Sequence, residues 1–297
     1  MKCDLCPRKC LVDRKKGEKG ICGQTENLKV ARAALHFWEE PCISGDAGSG
    51  AVFFSGCPLH CVFCQNENIA NGTVGKEISL ERLVDIFLEL QEKGANNINL
   101  VTPGHFVPQI VKALDQAKKE GLTLPVVYNT SSYETVDTIK MLEGYVDIYL
   151  PDFKYMSPVL SKKYSHAPDY AEVAKAAIAE MVRQTGKAVF VNGEEDNLIL
   201  SGTIVRHLTL PGCMADSMQI LKYLHETYGD MIYISIMNQF TPLSNLEKYP
   251  ELNRRITDEE YETLVDYAID IGIENGFIQE GDTAEESFIP AFDCEGV

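Results

Sequence analysis

Short apolar runs alternate with amphipathic stretches from about residue 50 to residue 270, and this alternation narrows the available folds more than any other feature. Strands are expected at 51–54 (AVFF), 97–101 (NINLV), 125–128 (PVVY), 146–150 (VDIYL), 204–210 and 231–237, with a further extended piece at 188–191. Helical spacing falls between them, at 79–93, 107–120, 133–143, 170–184, 215–228 and 258–270. In the 79–93 stretch Leu80, Leu83, Ile86, Phe87 and Leu90 share one stripe, Ser79 is a capping residue at its start and Gly94 stops it. Strands each followed by a helix build a parallel sheet. Crossovers between parallel strands are right-handed, so about six such units curl into an open, partial (β/α)6 barrel. Three segments are expected: a Cys-rich extension over 1–45, the barrel over 46–275 and an acidic tail over 276–297, with 281–297 lying loosely on the surface.

The chain has 297 residues and a net charge of −17. Broad nucleic-acid binding needs a basic face to neutralise phosphates, so no nucleic-acid partner is expected. No run of about 18 apolar residues occurs, so no membrane-spanning helix is expected. The start, MKCDLCPRKC, lacks the apolar stretch of a signal peptide, and a cytoplasmic location is expected. Thiols stay reduced there, so clustered cysteines read as metal sites before disulfides.

Three of the ten cysteines, Cys57, Cys61 and Cys64, stand in one loop after the first strand, in the pattern Cys-x3-Cys-x2-Cys. Three thiolates in so short a loop can hold three corners of an iron–sulfur cube, leaving one iron open to chemistry. The alternative is a zinc knuckle completed by His60 or a distant cysteine, although zinc ligands usually come two and two. A loop that follows a strand lies at the mouth of a parallel barrel, where substrates bind.

With Phe63 as the aromatic residue before the third cysteine, the segment resembles the Cys-x3-Cys-x-aromatic-Cys signature of the radical S-adenosylmethionine (SAM) superfamily. Trp38-Glu-Glu-Pro-Cys, Gly48-Ser-Gly, Cys64-Gln-Asn and Arg206-His-Leu are similar to segments of proteins related to pyruvate formate-lyase-activating enzyme, and the resemblance extends over 51–237. It implies a [4Fe–4S] cluster whose open iron chelates SAM. One electron then cleaves SAM to methionine and a 5′-deoxyadenosyl radical, which abstracts a hydrogen atom. It further implies an oxidoreductase resembling the glycyl radical activases, with a glycyl radical protein as partner and flavodoxin or ferredoxin as electron donor. The alternative within the superfamily is a small-molecule or peptide substrate. From another class, the rival is a non-catalytic iron–sulfur or zinc protein that carries electrons or docks a partner.

Polar residues at the expected strand ends complete the candidate site. The resemblance implies that the backbone after the second strand, here Thr102-Pro-Gly-His105, receives the SAM amine, although this sequence departs from the family's Gly-Gly-Glu; carbonyls at Thr102 and Gly104 suit an ammonium. His105 reads either as a ligand or base or as a hydrogen-bonded helix-start residue. Asn129, Thr130, Ser131 and Ser132 suit ribose or carboxylate contacts, or helix capping. Asp152 and Lys154 resemble the Asp-x-Lys segment of the activating enzymes, where a lysine neutralises the SAM carboxylate. Arg206 and His207 must face opposite sides of their strand, and Arg206 is expected inside, as a carboxylate binder. Asn238 and Gln239 are weaker candidates, and Glu39 and Glu40 read as a solvated face.

Cys3, Cys6, Cys10 and Cys22 form a second group in an arm with almost no apolar residues to fold it. Metal binding can fold such an arm, and four thiolates saturate a centre. Zinc and a second iron–sulfur cluster both suit it.

Overall fold

The computed structural model describes residues 2–193, 197–242, 246–279 and 290–297. Its strands are β1 (Leu28–His36), β2 (Ser49–Phe54), β3 (Lys76–Ile78), β4 (Ile98–Val101), β5 (Val126–Thr130), β6 (Ile148–Pro151), β7 (Val189–Phe190), β8 (Ile199–Leu208), β9 (Tyr233–Met237) and β10 (Gly276–Ile278). The helices are α1 (Pro41–Ser44), α2 (Glu67–Ala70), α3 (Leu80–Glu92), α4 (Val107–Glu120), α5 (Val136–Lys140), α6 (Pro158–Ser165), α7 (Tyr170–Thr185), α8 (Met214–Tyr228) and α9 (Asp258–Asp270). The sheet runs β10-β9-β8-β6-β5-β4-β2-β1-β3. From β2 to β10 all neighbours are parallel, which matches the six expected barrel strands and adds β10. β1 and β3 are antiparallel additions beyond β2, and the 188–191 piece contributes only β7, antiparallel to β8.

Local chemistry explains the helices. The Ser79 side chain accepts from the Arg82 amide and opens α3, while Thr257 and Glu260 form a reciprocal capping box on α9. Gly121 closes α4 in the left-handed conformation. Leu83, Ile86, Phe87 and Leu90 of α3, with Ile110 and Leu114 of α4, bury against Val52, Ile98, Leu100 and Tyr128 on the outer face of the sheet. A second core joins α7, α8 and α9 around Tyr155, Tyr164, Tyr170, Leu221 and Leu264.

The expected 133–143 helix shrinks to α5, because Thr135 caps it and Glu134 turns inward to the hydroxyls of Tyr128 and Thr130. Of the tail expected to lie loosely, 281–289 fall outside the described residues, while its end packs on β1. Ala33 donates to the Glu295 carbonyl, Cys294 donates to Ala31, and Arg32 pairs with Asp293 and Glu295. Among the described residues no helix is long and apolar enough to cross a membrane.

Strand register brings one rim together. Phe53 stands beside Val101, Val101 beside Asn129, and Asn129 beside Leu150; Asp152 bridges to Arg206, and Leu208 stands beside Met237. Alternation then sorts the concave face by depth. Val127, Ile148 and Ile204 pack at the bottom against Cys42 and Ile43 of α1, and the inward positions nearer the rim are Asn129, Asp152 and Arg206.

Candidate active site

A cavity of about 350 Å³ opens at this rim. Cys57, Cys61, Phe63 and Cys64 line one side, and Thr102, Asn129, Asp152, Lys154 and Arg206 line others. The loop from 57 to 64 is shaped by its own sequence. His60 takes a positive φ, the Cys64 amide closes a turn on the Cys61 carbonyl, and Val62 donates to Tyr164. Phe63 is buried and meets Tyr155 and Phe240 edge-on, at 6.5 and 5.9 Å between ring centroids, which anchors the loop to the second core.

Each sulfur accepts hydrogen bonds. Backbone amides at Leu59 and His60 donate to Cys57, the Asn66 amide donates to Cys64, and the Ser165 hydroxyl donates to Cys61 at 2.9 Å. Burial pushes the Cys57 thiol up to about 11 and raises Cys61 and Cys64 too, so uncomplexed they stay protonated. Partly buried thiols with donors aimed at sulfur fit a bound metal, whose charge favours the thiolate.

On the same cavity lies a largely buried charge network. Arg206 donates through Nε to Asp152 at 3.0 Å, and through its two terminal nitrogens to Glu39 at 2.9 Å and Asn129 at 2.6 Å. Lys154 takes the other Asp152 oxygen at 2.6 Å. Glu39 also accepts from Asn99 and Asn129, at 3.0 and 3.1 Å. Burial alone would raise the Asp152 carboxyl, but Lys154 and Arg206 hold it below the ordinary carboxylate range. Burial likewise opposes charge on Lys154 and Arg206, yet Asp152 keeps both above their ordinary values. For Glu40 burial prevails and the carboxyl is raised, with Oε2 lacking a partner in the structure.

Several expectations change. Gly104 and His105 are not among the cavity-lining residues. Gly104 faces the Glu134 carboxyl, which occupies the place a Cβ would need. His105 is buried behind the strand end, with Nε2 2.7 Å from the Ser55 carbonyl, and burial lowers its pKa to about 3. It is a hydrogen-bonded residue at a short helical turn, not a base facing the cavity. Ser132 is buried with a positive φ and does not line the cavity, whereas Thr130 and Ser131 do. His207 points away from Arg206, bonded to the Phe153 carbonyl and Ser217 at 2.7 and 2.8 Å. Gln239 lines the cavity.

Glu39 and Glu40 are the main correction, since both line the cavity and neither belongs to a solvated face. β1 delivers them to the rim and α1 turns the chain under the barrel immediately afterwards, a path no helical periodicity signals. The one available clue was an acidic pair directly before Pro41, a helix-start proline.

The family model of the Radical SAM superfamily matches residues 51–199. An uncharacterized protein of Methanocaldococcus jannaschii is 27% identical over 276 residues, covering 90% of this chain and 74% of that protein. Streptococcus suis SuiB bound to S-adenosylmethionine superposes with a TM-score of 0.52 at 13% identity, over 80% of this chain and 51% of SuiB. HydG, a maturase of the [FeFe]-hydrogenase, superposes with a TM-score of 0.51 at 15% identity, over 78% of this chain and 52% of HydG. The chain thus spans about half the length of these two solved structures, and the likeness to them is one of fold. With its parallel open barrel and the family match from β2 through β7 into β8, the chain belongs to the radical SAM superfamily, whose members use a [4Fe–4S] cluster and S-adenosylmethionine.

Proposed function

We propose that this cavity carries out reductive SAM cleavage, with Cys57, Cys61 and Cys64 holding the cluster and the Asp152–Lys154–Arg206 network holding SAM. The observation that carries this is the opening of three partly buried, donor-supported thiols onto the same cavity as that network. When bound by Cys57, Cys61 and Cys64, the cluster would supply the one-electron reduction that cleaves SAM and so makes hydrogen-atom abstraction from a substrate available.

The chain's own residues bind, orient and exclude water. Lys154 stands within electrostatic range of Cys61 and lies on the cavity wall, which suits the SAM carboxylate. Arg206 fixes Asp152 and Asn129 as acceptors for hydroxyl or ammonium groups. The Thr102 backbone on the cavity wall offers a further acceptor to a cationic ligand. Phe53, Leu59, Phe63 and Ile69 close the apolar wall and keep water from a radical.

The hydrogen donor we assign is a polypeptide, with a glycine of a glycyl radical enzyme as the leading case and a flavodoxin- or ferredoxin-type electron donor. The cavity is at the small end of the range of about 300–1,000 Å³ for ligand pockets, so cluster and SAM take most of it. A substrate carbon is therefore presented from the mouth, where Trp38 and Ile278 line the cavity yet remain 61% and 51% exposed. Such an apolar rim suits a peptide segment. Anaerobic incubation of iron-loaded protein with dithionite and SAM is expected to yield 5′-deoxyadenosine; absence of that product overturns the assignment. Deuterated glycine in the partner should pass deuterium to 5′-deoxyadenosine, and a partner that transfers none is not the donor.

A further inference from the structure

The N-terminal arm carries four cysteines that the proposed SAM site does not use, and its fold is hard to explain from packing. Leu11 and Ile21 are about half exposed, at 52% and 49%, so burial contributes little. Lys9 and Leu11 both take positive φ, at 42° and 55°, conformations that side-chain-bearing residues hold only when their surroundings impose them. The chain nevertheless folds back on itself here. Cys3 and Val12, Leu11 and Cys3, and Lys9 and Cys6 are joined by backbone hydrogen bonds of 2.9–3.0 Å.

What the folded arm gathers is sulfur. Cys6 lies within electrostatic range of Cys10 and Cys22, and Cys22 within range of Cys3 and Cys10. Cys6 takes a hydrogen bond from the amide two residues on, at Arg8, and Cys22 takes one from the amide two residues on, at Gln24. Cys57 and Cys64 make the same local contact, with Leu59 and Asn66. The Ile21 amide donates to the Cys10 sulfur at 3.3 Å, and a Cβ at Gly20 would stand 2.9 Å from that sulfur. Burial raises the Cys6 and Cys22 thiols, and the amides aimed at sulfur oppose it only in part, so these are positions for metal-bound sulfur and not for a free thiolate. Among the described residues no three His, Cys, Asp or Glu side chains stand close enough for a single ion, and this is as true of Cys57, Cys61 and Cys64 as of the arm.

We propose that Cys3, Cys6, Cys10 and Cys22 bind a second thiophilic metal centre, which folds the arm and braces the Cys57 loop. The bracing contacts are direct. Arg8 donates to the carbonyls of Pro58, Ser165 and His166, and stacks over Tyr133 at 5.1 Å. His60 stands 2.7 Å from the Ile21 carbonyl. The Cys22 carbonyl lies against Gly56, whose positive φ and close neighbours leave no room for a side chain. Buried Arg14 donates to the His105 carbonyl, and His105 in turn reaches Ser55. Both sides of the Cys57 loop are thereby held by an arm that lacks a core of its own. Soft tetrathiolate donors select zinc or an iron–sulfur cluster.

The test is metal analysis of the full-length protein, prepared anaerobically with iron and sulfide or with zinc. The Cys57→Ala/Cys61→Ala/Cys64→Ala protein should keep one centre, read as one zinc or as iron with matching acid-labile sulfide. Adding Cys6→Ala and Cys22→Ala should remove it. If the first variant does not fold, Cys6→Ala/Cys22→Ala alone should lower the metal per chain by one centre and leave the irons of the Cys57 loop countable. A folded Cys57/Cys61/Cys64 variant free of iron and zinc overturns the proposal, as does metal content unaffected by removing Cys6 and Cys22. Either result leaves the assignment of the first cluster standing, and absence of SAM cleavage leaves this one standing.

Discussion

Arg206 and Glu39 meet at 2.9 Å although 167 residues separate them in the chain. The contact joins the segment that follows β1 to β8 on the cavity wall. Arg206 has three partners, Glu39, Asn129 and Asp152, and it is the planar fork of the guanidinium that reaches all of them. Removing one member of such a buried network leaves uncompensated charge.

Arg206→Met should therefore destabilise the apoprotein by about 3–5 kcal/mol, with Arg206→Lys losing less because the charge remains. Urea unfolding followed by circular dichroism measures both. A methionine variant as stable as the parent would mean that the carboxylates are not held by Arg206.

Lys154→Ala should weaken SAM binding by about 1.5–3 kcal/mol, or roughly 10- to 150-fold, if a charged hydrogen bond to the carboxylate is lost. Anaerobic calorimetry on cluster-loaded protein gives the number. Unchanged affinity would confine Lys154 to its ion pair with Asp152.

Replacing Cys57, Cys61 and Cys64 together by Ala should remove about four irons per chain and all SAM cleavage. Iron analysis and chromatography of 5′-deoxyadenosine report the two losses separately. Cleavage that survives the triple change would place the cluster elsewhere.

Glu134 gives the apoprotein a pH dependence. Burial raises its carboxyl from 4.5 to about 7, against hydrogen bonds from Thr130 and Tyr128 that favour the charged form. Between those two values the folded state holds a proton that the unfolded state has released. Stability should thus be greatest below about 4.5 from this group and fall as pH rises to about 7, by about 3 kcal/mol in all. Glu134→Gln, which keeps an acceptor for both hydroxyls, should flatten that slope. A slope unaltered in the variant would assign it to other groups.

The parts of the site that could be read before the fold were those tied to strand periodicity. Alternation alone put Arg206 and His207 on opposite faces, and the end of an apolar run put Asp152 and Lys154 at the rim. What escaped depended on pairing between distant segments. β1 is followed only by the single short turn of α1 and pairs antiparallel, so no strand-and-helix pattern revealed that Glu39 and Glu40 turn into the barrel. Gly104 and His105 follow β4 as Thr102 does, yet one tight turn with a positive φ at Thr102 sends them behind the strand instead of into the cavity. Glu134 was hidden inside an expected helix because its partners, Tyr128 and Thr130, lie on β5.

The order of the site's residues along the chain also sets a timetable for synthesis. Cys57, Cys61 and Cys64 leave the ribosome long before Lys154, Ser165 and Arg206, which surround them in the finished barrel. At about 5–20 residues per second the three thiols wait roughly 7–28 s for Arg206 to be made. During that interval they sit on a growing chain without their hydroxyl donor or their cationic neighbours. Oxygen and stray metals compete for them then more than at any later time. The N-terminal arm, whose Cys22 backs Gly56, is the one bracing element already translated when the loop emerges.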